Sequence, residues 1–161
     1  MGKRGHTLKL ITLCGALLSA LPVWAETCRD DEVHLRGDWG QARFSVEVAD
    51  THETRAQGLM HVMEMPRASG MLFVYPFPRE VGFWMKNTFI PLDMIFVDET
   101  GMVRKVHQNA IPHDERPIMG GEDILVVLEI NGGLSAQMGI VAGAQMRHPS
   151  FDAATAVWPC E

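Results

Sequence analysis

Two carboxylates stand where a buried strand would carry only apolar side chains. In Pro91-Leu92-Asp93-Met94-Ile95-Phe96-Val97, a period of two puts Asp93 on one face with Ile95 and Val97. By the same count Glu129 shares a face with Leu125 and Val127. A carboxylate on an apolar face must find partners or shift its pKa. One reading makes such a group a general acid or a ligand-gripping group. The other makes it an anchor for a neighbouring loop, held by backbone N–H groups or an arginine. As an acid/base pair for glycan hydrolysis, the two would have to face one cleft within about 10 Å.

Phe83-Trp84-Met85-Lys86-Asn87-Thr88 places an aromatic ring beside ammonium, amide and hydroxyl groups. That combination suits one wall of a pocket for a sugar or peptide. Alternatively Phe83 or Trp84 belongs to the core and Asn87-Thr88 makes a turn. A third pattern is Met60-His61-Val62-Met63-Glu64-Met65, where His61, Met63 and Met65 alternate as imidazole and thioether groups suited to Cu(I). Met is also a common core filler. His107 and His113 flank a loop with Asp114 and Glu115, but without a recognised zinc spacing, so a hydrated loop is expected. There is no Gly-x-Ser-x-Gly, no His-Glu-x-x-His and no Gly-rich phosphate loop. No cofactor or resident metal is expected. The glycines at 120–121 and 132–133 are read as turns.

The elements that must position these groups are short. Residues 26–42 read as a polar, acidic arm in which Val33 and Leu35 hint at a strand. From Arg43, alternation of Phe44, Val46 and Val48 predicts a strand. Asp50 with Glu53 three positions later makes a capping-box pattern for a short helix ending near Gly58. Strand-like runs follow at Gly70 to Tyr75, stopped by Pro76, then at Val81 to Lys86 and Leu92 to Val97. Asp98 to Gly101 reads as a hairpin turn into Met102 to His107. Gln108 to Asp123 reads as a long loop, and Ile124 to Ile130 as a central strand. A brief helix over Leu134 to Met138, closed at Gly139, precedes a last strand from Ala144 to His148. Such closely spaced strands predict an all-β domain with one or two short helices, a sandwich or barrel rather than a parallel α/β fold.

The first residues have the layout of a secretory signal: Lys3, Arg4 and Lys9, an apolar stretch from Leu10 to Leu21, then Pro22-Val23-Trp24-Ala25. The apolar run falls short of the ~20 residues of a membrane span. Cleavage is expected after Ala25, leaving 136 residues, 11 of the 14 basic side chains and all 20 acidic ones. A mature charge of −9 disfavours nucleic acid or an anionic bilayer as partner. Without a second apolar span the mature protein is expected to be soluble, and a monomer. Cys14 leaves with the signal, while Cys28 and Cys160 remain near the two ends. In an oxidising compartment they are expected to be bridged, contributing up to ~5 kcal/mol by the chain-entropy estimate.

Taken in order, Phe44 to Ala49, Gly58-Leu59-Met60, Gly70 to Phe73, Phe83 to Thr88, Pro91 to Val97, Asn109 to Pro112 and Leu128 to Gly133 resemble one family. It is the bacterial and archaeal family called domain of unknown function 192 (DUF192), and the likeness spans roughly residues 43–148. The resemblance implies a compact, all-β, jelly-roll-like barrel with a short helix near its start. It implies no activity and no catalytic residue. The family's signature polar positions fall on Trp84, Lys86, Asn87, Thr88, Asp93, Asn109, Glu129 and Asn131. His61, Met63 and Met65 lie where the family pattern requires nothing in particular.

The expected organisation is a signal peptide at 1–25, an arm at 26–42, the β domain at 43–149 and a tail at 150–161. The expected function is that of a periplasmic or secreted, non-catalytic binding or accessory protein for a cell-envelope glycan or peptide. An envelope hydrolase using Asp93 and Glu129 is the second reading, and copper handling the third.

Overall fold

The structure, a computed structural model, describes residues 1–2 and 27–160. Apart from Met1 and Gly2, the leader and its cleavage site lie outside the described residues. Seven strands and two short helices follow in the order β1 (Glu32–Gly37), β2 (Gly40–Ala49), α1 (His52–Gln57), β3 (Ser69–Phe83), β4 (Leu92–Asp98), β5 (Val103–Ala110), β6 (Ile118–Asn131), α2 (Leu134–Met138) and β7 (Gln145–Arg147). The fold is all-β, as expected. The strands form one sheet in the order β5-β4-β6-β3-β2-β1-β7, curled into a half-barrel. Its edges approach each other where Met102 bridges Gln145, with bonds between Gly101–Val103 and Gly143–Met146. All neighbouring pairs are antiparallel except β2 and β3, which run parallel with α1 as the crossover.

Both faces of the central strands are covered, which is why β4 and β6 read as nearly continuous apolar runs. Inside the curl lie Val33, Leu35, Phe44, Val46, Leu72, Ile95, Val97, Val126, Leu128 and Ile130. On the outer face a second cluster gathers Met71, Phe73, Met85, Leu92, Met94, Phe96 and Val127. Residues 26–42, read as an arm, thus supply β1, which pairs with β2 and β7 and buries Val33 and Leu35 completely.

The outer cluster needs a cover, and the far halves of β3 and β6 provide it. β3 does not stop at Pro76. It runs through Pro76 and Pro78 to Phe83, because the ladder to β6 shifts register between Val74 and Arg79, where proline's missing N–H donor is not required. The segment read as a loop up to Asp123 correspondingly contains the first part of β6, with Gly121 opposite Val81 and Ile118 opposite Phe83. The glycines at 120–121 are therefore not a turn. A Cβ on Gly120 would stand 2.2 Å from the Phe96 ring, so only glycine lets the strand lie over that ring.

At α1 the cap is Thr51, not Asp50. Its hydroxyl accepts from the Thr54 N–H, and the Thr54 hydroxyl accepts from the Thr51 N–H. No residue of α1 is buried. The helix is tied down instead by Arg55, whose Nη1 donates to the Asp50 and Val74 carbonyls.

Cys28 and Cys160 are disulfide-bonded, as expected, 132 residues apart in sequence. Next to the bridge, the Trp158 ring lies against both Arg36 and Arg147, whose guanidinium carbons are 4.2 and 4.7 Å from its centroid. Reduction is expected to lower stability by the 2–4 kcal/mol usual for such a bridge. Denaturant midpoints measured with and without reductant check this, and equal midpoints would show that the bridge contributes nothing.

Candidate functional site

The Phe83–Thr88 segment splits its aromatics between two tasks. Phe83 packs edge-on against Phe73 at 4.9 Å and Phe96 at 5.9 Å, locking the end of β3 onto the outer cluster. Trp84 turns the other way and is 47% exposed. The Lys86 ammonium sits 5.1 Å from the Trp84 ring centroid. The loop after them is pinned where the Met85 N–H donates to Asp114 and its carbonyl accepts from His113 and Thr88.

Between this segment and α1 lies a narrow cleft of about 40 Å³. Trp84, Lys86 and Thr88 line one side, and Arg55 to Met60 the other. Phe73, Phe83 and Glu129 complete the lining. Glu129 is 4% exposed, and its side chain has no hydrogen-bond or ion-pair partner among the described residues. Burial alone pushes its carboxyl up to about 8, so it is protonated at neutral pH. The cleft therefore combines an exposed aromatic, two cations and an unpartnered carboxylic acid. Arg55 and the turn at Gly58 were not foreseen as part of it, since the hydrogen bond from Arg55 to Val74 spans residues that sequence spacing does not connect.

The other expected residues have different tasks. Asp93 is wholly buried, and its Oδ1 accepts from the N–H groups of Asn109 (2.7 Å) and Gly133 (2.8 Å). Its Oδ2 accepts from Ser135 N–H at 2.7 Å. It thus supplies from β4 the cap that α2 lacks locally, since Gly133 has no side chain to offer. Asn109, with φ of 54°, turns the chain at the end of β5. Asn131 donates from Nδ2 to the carbonyls of Met65 and Pro66. Asn87, with φ of 53°, offers its backbone carbonyl to His61 N–H. Of the eight expected positions, Trp84, Lys86, Thr88 and Glu129 come together.

The two carboxylates do not. Asp93 is opposite Ile130 and Met94 opposite Glu129 in the β4–β6 ladder. Directly paired residues share a face, so Asp93 points with Ile130 into the inner cluster and Glu129 with Met94 toward the outer one. An acid/base pair across one cleft is ruled out by the sheet itself. The copper trio also disperses. Residues 61–65 are not a strand, so alternation gives them no common face. His61 lies by the Phe89 ring, Met65 packs on the outer cluster and Met63 is 71% exposed. Among the described residues no group of three or more His, Cys, Asp or Glu could hold a metal ion.

The family described as DUF192, Uncharacterized ACR, matches residues 33–148. Two crystal structures resemble this one. The first is a protein of unknown function from Novosphingobium aromaticivorans DSM 12444, with 42% sequence identity and a TM-score of 0.70 over 71% of this chain and 82% of that one. The second, from Sinorhizobium meliloti 1021, is described as a candidate transcription regulator. It has 35% identity and a TM-score of 0.73 over 78% of this chain and 98% of that one. No curated protein matches.

Proposed function

Since the chain belongs to the DUF192 family, whose description assigns no activity, we propose its function from the cleft. It is an exported, periplasmic binding protein that takes the end of a cell-envelope glycan or peptide between Trp84 and Glu129. The observation that carries this reading is Glu129, a carboxylic acid with no described partner that lines a cleft together with the exposed indole of Trp84. A buried polar group without a partner costs about 1–3 kcal/mol, and a ligand that hydrogen-bonds to it recovers that loss. The Cys28–Cys160 bridge supports an oxidising compartment, and no described helix is long and apolar enough to cross a membrane. A nucleic-acid partner, as the description of the Sinorhizobium relative suggests for that protein, is disfavoured here by the acidic balance of the chain.

The test is co-sedimentation with purified envelope fractions. Trp84→Ala is expected to lower retention at least tenfold. It should change stability by less than about 1 kcal/mol, because Trp84 is largely exposed. Undiminished retention, or loss of retention together with a collapse in stability, would refute the reading.

A further inference from the structure

We propose that the group this cleft takes is a carboxylate, the chain end of an envelope peptide rather than a sugar ring or an amine; this rests on the binding reading above. Size makes the first cut. Ligand pockets usually measure roughly 300–1,000 Å³, and one water occupies about 30 Å³. At about 40 Å³ the cleft admits a single small group while the rest of the ligand stays outside against Trp84.

Charge makes the second. The charged residues of the lining are Arg55 on α1 and Lys86 on the loop after β3, and Glu129 on β6 lines the same cleft. Lys86 has no hydrogen-bond acceptor among the described residues, only the face of the Trp84 ring. Arg55 commits Nη1 to two carbonyls. An entering ammonium would meet two like charges, and a neutral hydroxyl would leave both cations without an anion. A carboxylate brings about four lone-pair sites to a wall of donors.

Glu129 fits that occupant only as a neutral acid, giving its O–H to the ligand's oxygen. Burial keeps it in that form below about 8. Tyr75 on β3 is the other titratable group that feels Glu129, and its own pKa is raised by burial. Above that range an ionised Glu129 would repel the ligand's carboxylate, so affinity should fall as pH rises.

Three probes separate the occupants: N-acetylalanine carries the carboxylate, N-acetylalaninamide is its neutral counterpart, and alaninamide is a cation. Titration into the full-length processed protein, read by the Trp84 indole resonance, is expected to show N-acetylalanine binding at least tenfold tighter than the other two. Its affinity should drop at least fivefold from pH 6 to pH 9. Lys86→Ala should weaken it tenfold, and Glu129→Gln, which keeps a donor, should bind with no such pH dependence. If the amide or the amine binds equally well, or affinity is flat with pH in the unaltered protein, the carboxylate assignment is wrong. If no probe binds while Trp84-dependent retention on envelope fractions persists, the assignment again fails and the binding reading stands. If envelope retention is also absent, both fall.

Discussion

Asp93→Ala should lower the stability of this domain by on the order of 5 kcal/mol, enough to leave much of it unfolded at 37 °C. The side chain is fully buried, and its two oxygens receive three backbone N–H groups from Asn109, Gly133 and Ser135. Each donor left unpaired in the interior costs about 1–3 kcal/mol. The three donors lie at the end of β5 and the start of α2, so one carboxylate joins β4 to both. Asp93→Asn is the informative comparison. It preserves size and one acceptor oxygen but turns an NH₂ group toward N–H donors, so about half the loss should remain. Denaturant midpoints give the magnitude, and amide exchange gives the location, with Gly133 and Ser135 losing protection first. If Asp93→Ala is as stable as the parent, the carboxylate is not the anchor drawn here.

That residue also shows what kind of information the sequence held. Its oddity was plain, because a carboxylate inside Leu92 to Val97 breaks an otherwise apolar strand. Both readings of it were available, and anchoring is the one the geometry supports. Its partners could not be named in advance, since Gly133 and Ser135 lie 40 and 42 residues away and meet it only because β4 and β6 pair. The same limit explains the mistaken acid/base pair. Period two assigns a residue to a face within its own strand but not to the inside or outside of a curled sheet. Register across the strands decides that, and it set Asp93 and Glu129 back to back.

Local signals located β4, α2 and the core of β6 well because those segments bury what their pattern says they should. They failed where a tertiary cover overrode local chemistry. Pro76 and Pro78 look like a stop, and Gly120-Gly121 look like a turn, yet both pairs lie in the stretch of β3 and β6 that folds over Phe96. The cleft depends on that fold-over, since it brings Phe83 and Trp84 to the side of α1. Trp84, Lys86 and Thr88 were legible as one wall. The opposite wall, Arg55 to Met60, was not, because α1 carries no buried residue that would mark it as a packed element.

Glu129 should make the protein lose stability as pH rises, and Glu129→Gln should abolish most of that loss. The carboxyl titrates at about 8 in the fold against an ordinary 4.5, with burial as the cause. Between those two values the folded protein holds a proton that the unfolded chain has released. Unfolding is therefore favoured progressively as pH climbs through that window. At about 1.4 kcal/mol per pH unit, the effect is on the order of 5 kcal/mol by pH 8, and it levels off above. At pH 4 both states are protonated and the two proteins should match. At pH 8 the glutamine variant should melt about 10–20 °C higher. Parallel stability curves from pH 4 to pH 9 would show that Glu129 is not a buried acid and would remove the basis of the cleft. The expected divergence has a further meaning. A residue that weakens the fold near neutral pH, where an uncharged neighbour would strengthen it, contributes nothing to folding that explains its presence. A ligand carboxylate sharing its proton would hold Glu129 neutral to higher pH. Bound N-acetylalanine should accordingly stabilise the unaltered protein less at pH 8 than at pH 6, while its effect on the glutamine variant stays level between the two.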